Sequence, residues 1–475
     1  MTSQKNLVVR ATATRDATSD GQCDDADAAS VVKTPLSDAR PLGKEASPRP
    51  QSCSRLETLP PELRFKLLSS MPDLQTLRSL VRASPILHAQ YRQSRDRILR
   101  DCLGREFNGF LIDAYATHMS KPHDLGSPRT NEKITEFTET YGKWLSTPKS
   151  SPTLNSMDPE RLRSMAAFHL SVAEPLAHRY CKWALGNLRE AVLDFKLGAT
   201  NRYSSAKALD DMTPQKCELI RVFRAIYRYE TYYNLFGCNE GKREGVLRGE
   251  WTNYHYLFRL EPWEAEAVAC IHVFIHDEYE KMLNQLKDKL DPPDVRFQLQ
   301  NGVYRYEDVF RLTAEVNDYA ESMISRGLRT AVQLFATQDD AELVVKMRQC
   351  LRRSGDHDGL LEEALGTLSQ SNRLFEADIP PDPRDERARN REGMKAAPDT
   401  VPPTGPPLGW MHLWSRGYSN VYGEYVPRSL QTMGYVMWNT KRWKFKGAEE
   451  MVFEKWRFAP DPAQDIRRDF NWSPW

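Results

Sequence analysis

His272 and His276 stand four residues apart, a spacing that places two imidazoles on one face of a helix and that metal sites use. The residue after His272 is Val273, where a helical zinc peptidase carries its glutamate base, and Cys270 and Asp277 fall off that face. The pair reads as partly buried helix histidines, and no metal site is assigned. Lys441-Arg442-Trp443-Lys444-Phe445-Lys446 interleaves bases with aromatics, as a platform for single-stranded nucleic acid does. A short amphipathic strand or turn, with Trp443 and Phe445 inward, gives the same alternation. The acids Glu449, Glu450 and Glu454 weigh against a polyanion there, so no nucleic-acid partner is expected. Tyr227, Tyr229, Tyr232 and Tyr233 could line a pocket, but aromatics on a helix are more often core or interface. Arg95, Arg97 and Arg100 alternate with Asp96 and Asp101, the pattern of a solvated helix face. The sequence carries no glycine-rich phosphate loop, no Gly-x-Ser-x-Gly elbow and no kinase set of motifs. No catalytic residue and no cofactor site are assigned, and the chain reads as a non-enzyme.

The elements around these residues are helical. Thr213 reads as an N-cap with Pro214 at the first helical position, followed by Leu219, Phe223, Ile226 and Tyr233 along one face. A second helix follows Glu261 and Pro262, with the stripe Val268, Ile271, Ile275, Tyr279, Met282 and Leu286. Further helices are expected over about 158–196, 306–335, 339–353 and 358–372, and strand-like alternation is scarce, so the fold class is all-α. No repeat of the leucine-rich, WD or kelch kind is present.

Composition divides the chain. Residues 1–54 hold no Phe, Tyr or Trp and are rich in Ser, Ala, Asp and Pro, so they are expected to be a disordered tail. Met1 to Arg15, with three bases and no acid, weakly resembles a mitochondrial presequence; the acids from Asp16 onward favour the tail reading. A helical module is expected at 55–103 and a helical body at 104–377. Prolines recur between 378 and 409 around the charged run Arg384 to Lys395, which reads as a linker without regular structure. The final segment, 410–475, holds seven of the eleven tryptophans, which need a surface to cover.

Lysine plus arginine (66) nearly cancels aspartate plus glutamate (65), so no global field selects a partner. The eight cysteines are scattered without a Cys-x-x-Cys pair, which argues against disulfides and a cysteine zinc site and for a reducing, intracellular address in cytoplasm, nucleus or both. No run approaches the ~18 apolar residues of a membrane span, so no membrane partner is expected.

The module at 55–103 begins Leu59-Pro60-Pro61-Glu62-Leu63. Prolines cost little in a first helical turn, and Glu62 suits the helix dipole there. Leu63, Leu67 and Leu68 share a face; Asp73 caps a second helix with Leu74, Leu77, Leu80 and Val81; Ser84-Pro85 opens a third with Leu87, Tyr91, Ile98 and Cys102 in register. Leu-Pro-Pro-Glu-Leu followed by short leucine-spaced helices, continuing as Leu80-Val81-Arg82-Ala83-Ser84-Pro85-Ile86-Leu87-His88-Ala89-Gln90-Tyr91, resembles the F-box-like proteins of filamentous fungi. The resemblance covers about a tenth of the chain. It lacks the cysteine and tryptophan that stronger F-boxes often carry near the second-to-third helix junction, having Arg82, Ala83 and His88 there. It implies a three-helix module that docks on a Skp-type adaptor and so couples the chain to a cullin ubiquitin ligase. By the same resemblance the adaptor-facing residues are Leu59, Pro60, Leu63, Leu67, Leu68, Leu74, Leu77, Leu80 and Val81. So small a module shelters its leucines poorly, and each is worth ~1.5–3 kcal/mol when buried. Either an adaptor or the chain's own helices could cover them. The first case makes the chain a target-recruiting subunit with an unidentified protein target, and the second makes it a helical scaffold without ubiquitin-ligase coupling. An enzyme with an unrecognised helical site is the third reading.

Overall fold

A proline can open a helix but cannot continue one, because the first N–H groups have no intrahelical partner. In a computed structural model of the chain the first helix, α1, accordingly runs Pro61–Ser69, with Pro60 as its N-cap. The structure describes residues 55–147, 150–197, 213–237, 256–290, 316–350, 360–367, 383–395, 399–443 and 448–457. The expected tail at 1–54, the start of the 306–335 helix, the segment Lys444–Lys446, and Trp472 and Trp475 lie outside the described residues.

The fold is all-α. After α1 come α2 (Leu74–Ala83), α3 (Pro85–Gln93), α4 (Arg95–Glu106), α5 (Leu111–Met119), α6 (Pro122–Leu125) and α7 (Asn131–Ser146). Then follow α8 (Pro159–Phe168), α9 (Glu174–Leu197), α10 (Lys216–Phe236), α11 (Pro262–Leu290), α12 (Val316–Ile324), α13 (Leu328–Ala336), α14 (Asp340–Cys350) and α15 (Leu360–Thr367). The last described helices are α16 (Pro383–Arg389), α17 (Leu408–Leu413), α18 (Arg428–Gln431), α19 (Thr440–Trp443) and α20 (Ala448–Arg457). Among the described residues β-pairing is confined to one isolated bridge between Gly393 and Gly417.

Local chemistry sets the helix starts. Asp73 accepts from Thr76 N–H at 2.6 Å and Ser84 from Leu87 N–H at 3.3 Å, the two caps expected from sequence. The run expected as a third helix divides at Ser94, which leaves the helical region at φ −125°, ψ 25°, so this part of the chain holds α1 to α4 rather than three helices. The cap of α10 is Gln215, not Thr213: Gln215 and Glu218 form a reciprocal capping box, which a serine or threonine cap more commonly provides.

α10 is the axis of the body. Nearly every residue from Cys217 to Phe236 is buried, since the helix is enclosed by α5, α9 and α11. The α11 stripe expected from sequence points inward, with Val268, Ile271, Ile275, Tyr279 and Leu286 buried and Met282 packed against the core. α8 and α9 join through a π turn at His169–Ala173.

The proline-rich stretch corrects the sequence reading. Pro383 sits at a helix start, where its missing N–H costs nothing, and α16 forms. Asn420 donates to Asp385 at 2.7 Å, and Arg384 donates to the Leu260 carbonyl, so charge–dipole contacts secure a segment too polar to read as packed. Trp410, Trp414, Trp438, Trp443 and Trp456 are at most 1% exposed and belong to the same hydrophobic cluster as the body helices. Thr440–Trp443 is a short helix, not a strand.

Candidate functional site

Partly open leucines lie in the turn before α1 and on α1 itself. Leu56 is 45% exposed and Leu63 48%; Leu59 and Leu67 beside them are half-buried and Pro60 is exposed. This apolar strip is rigidly mounted. Glu57 accepts from the Ser84 hydroxyl at 2.7 Å, which ties the turn before α1 to the start of α3. At the other end Arg105 Nε donates to the Met71 carbonyl at 2.8 Å and its Nη2 to Ser69, satisfying carbonyls at the C-terminus of α1. Glu106 Oε2 accepts from Leu74 N–H at 3.1 Å, at the positive end of α2. Its other oxygen lies 3.2 Å from His169 Nε2, and His169 Nδ1 lies 3.0 Å from the Tyr227 hydroxyl on α10. A continuous polar chain therefore runs from α2 to the central helix.

The nine residues named from sequence divide into two sets. Leu68, Leu74, Leu77 and Val81 are buried between α1, α2, α3 and α4, each at most 8% exposed. Leu59, Pro60, Leu63, Leu67 and Leu80 keep part of their surface open to solvent. α4 covers what three helices could not. Leu56, which was not among the nine, belongs to the open set; its place three residues before Leu59 was the available signal.

A second feature lies in the body, where α5, α7, α10 and α11 border a cleft of ≈ 950 Å³. Its floor is ionic: Arg228 Nε lies 2.8 Å from Asp113 Oδ1 and Arg228 Nη1 3.0 Å from Glu264 Oε1. The Tyr141 hydroxyl also donates to Asp113, at 2.6 Å. Burial opposes charge on Arg228, but Asp113 and Glu264 outweigh it and hold the guanidinium charged. Burial likewise pushes the Glu264 carboxyl up, and Arg228 and Arg224 outweigh that and keep it below the usual range. Arg224, one turn before Arg228, donates to the carbonyls of Gly109 at 2.7 Å and Pro403 at 3.1 Å. Sequence reading missed this site. Its signal was Arg224 and Arg228, spaced one turn apart to share a face of a helix rich in apolar and aromatic residues.

The histidine pair does not converge. His272 Nε2 lies 3.4 Å from Glu321 on α12, whereas His276 faces Glu280 and Arg428. Oxygen or nitrogen atoms of His272, Glu321 and Glu362 lie within 4.8 Å of one another, Glu362 being exposed. Burial lowers His272 to about 3, which keeps its imidazole neutral. Of the four sequence-noted tyrosines, Tyr227, Tyr229, Tyr232 and Tyr233 are all core. Asp96, in the charged face of α4, accepts from Arg163 at 2.7 Å. Cys102, Cys181, Cys217 and Cys270 are buried free thiols, and burial pushes Cys102 and Cys181 up to about 12. Among the described residues no helix is long and apolar enough to cross a membrane.

Comparison with protein-family models, with curated proteins and with solved structures finds no match to this chain.

Proposed function

We propose that the chain is an F-box-like interaction protein that docks a Skp-type adaptor through the open face of α1, the helical body and tryptophan-rich end holding a protein target for a cullin ubiquitin ligase inside the cell. The observation that carries this reading is the set of partly open apolar residues Leu56, Leu59, Pro60, Leu63 and Leu67, which runs from the turn before α1 into a helix tied down on both sides. A surface of this kind, apolar and rigid, loses little entropy on association and gains from burial. The docking residues are then Leu56, Leu59, Pro60, Leu63 and Leu67, with Leu80 beside them. Leu68, Leu74, Leu77 and Val81 shape the module from within.

Burial of those four residues also favours a second reading, a helical scaffold whose module is only structural. Co-purification with a Skp-type adaptor separates the two. Wild type retains adaptor and a Leu56→Asp, Leu63→Asp variant loses it, since a charge forced into a desolvated leucine site costs several kcal/mol. Both positions are solvent-exposed, so the variant stays folded. Equal recovery of adaptor by both proteins, or by neither, favours the scaffold.

A further inference from the structure

His272 is buried without being satisfied. Its side chain, on α11, is 7% exposed, and among the described residues its Nδ1 has no hydrogen-bond partner. Its Nε2 faces Glu321 Oε1 on α12 across 3.4 Å, longer than the ~2.7–3.2 Å of an N–H···O hydrogen bond. A buried polar group in that state costs free energy, and a bound ion is one of the few things that accounts for it. The same separation suits two ligands of one metal ion, because bonds of about 2.0–2.1 Å at a tetrahedral angle hold donor atoms roughly 3.3–3.4 Å apart. Glu362 on α15 brings a third donor, and one ligand atom from each of the three residues lies within 4.8 Å of the others. Glu362 is exposed and can turn onto an ion, while Leu361 and Leu365, at most 2% exposed, anchor α15 beside it. Burial keeps the imidazole neutral, the form that ligates. A neighbouring group, His276, Asp277 and Glu280, is equally close-set, but there a cation is already supplied: Arg428 donates to Asp277 and lies 3.3 Å from His276 Nδ1. The field of Arg428 also reaches His272, but its guanidinium is paired with Asp277.

We propose that His272, Glu321 and Glu362 form a site for a divalent transition-metal ion of the zinc type, which clamps α12 and α15 to α11. One imidazole and two carboxylates match an ion that takes nitrogen and oxygen together, whereas calcium and magnesium prefer oxygen alone. The three donors come from three separate helices, so occupancy is felt as stability of the folded chain. The partners of His272 are thus acids on other helices, not the histidine one turn along. The proposal does not rest on adaptor docking, because none of the three residues lies in α1 to α4.

Isothermal titration of the tag-free full chain, stripped of metal with a chelator and dialysed, tests it with zinc chloride as the probe and magnesium chloride as the control. Wild type is expected to bind zinc and not magnesium, and Glu362→Gln to weaken zinc by at least about tenfold. Glu362 is exposed, so this variant folds, and its metal-free melting curve matches that of wild type. Zinc raises the thermal midpoint of wild type and leaves that of Glu362→Gln where it was. Glu280→Gln, in the neighbouring group, keeps wild-type zinc affinity. Absence of zinc binding at submillimolar concentration, equal binding of magnesium, wild-type zinc affinity in Glu362→Gln, or an equal loss in Glu280→Gln overturns the proposal. The adaptor co-purification is read separately, so either result can fail alone.

Discussion

Glu266 supplies the sharpest test of how the C-terminal segment is held. It lies on α11, fully buried, where Oε2 accepts from Gly423 N–H at 2.7 Å and Oε1 from the Gln431 side-chain amide at 3.1 Å. Burial pushes its carboxyl up to about 8, and these hydrogen bonds only partly oppose the shift. An acid whose folded value is raised is protonated longer in the native state than in the unfolded chain. Stability therefore falls as pH rises from the unfolded value of 4.5 towards about 8, and the gap bounds the loss at roughly 4–5 kcal/mol. Glu266→Gln fixes the neutral form. It loses one of two accepted hydrogen bonds, about 1 kcal/mol, because an amide offers one oxygen where the carboxylate offers two. Urea denaturation followed by circular dichroism near pH 5 and near pH 9 reads the outcome. The variant is expected to be about as stable as wild type, or slightly weaker, at the lower pH, and more stable by on the order of 2–4 kcal/mol at the higher. Other titrating groups act on both proteins and cancel in the difference. A wild-type minus variant difference that does not change with pH refutes the reasoning.

Two further substitutions probe the division of roles. Leu68→Ala removes a fully buried side chain and is expected to cost about 2–5 kcal/mol, whereas Leu63→Ala, at a half-exposed position, stays within about 0.5 kcal/mol; equal costs by chemical denaturation would place Leu63 inside the core. Arg228→Met strands Asp113 and Glu264 beneath the cleft without their cation, with an expected loss of about 3–5 kcal/mol at neutral pH. That loss shrinks in acid as the stranded carboxyls take up protons, and calorimetry at two pH values checks it.

Period and capping chemistry were legible in the sequence: the stripe on α11, the Asp73 and Ser84 caps and the prolines that open α1 follow from local rules. What escaped reading is tertiary. The four-helix packing at the amino end depends on α4 folding back after Ser94, where no glycine or proline marks the break. α16 forms inside a proline-rich, charged stretch because remote partners, the Leu260 carbonyl and Asn420, satisfy its polar groups. The ionic cleft floor was illegible for the same reason: Asp113, Arg228 and Glu264 are far apart in sequence and meet only in the folded chain. On α1, leucine spacing marked a face, but only burial separates Leu63 and Leu67 from Leu68.

Hydrogen–deuterium exchange of the full chain, with and without a purified Skp-type adaptor, addresses the central claim most directly. Docking through α1 predicts added protection confined to about residues 55–71 and lost in the Leu63→Asp variant. Unchanged exchange across that stretch, or protection appearing only in the body, would contradict it.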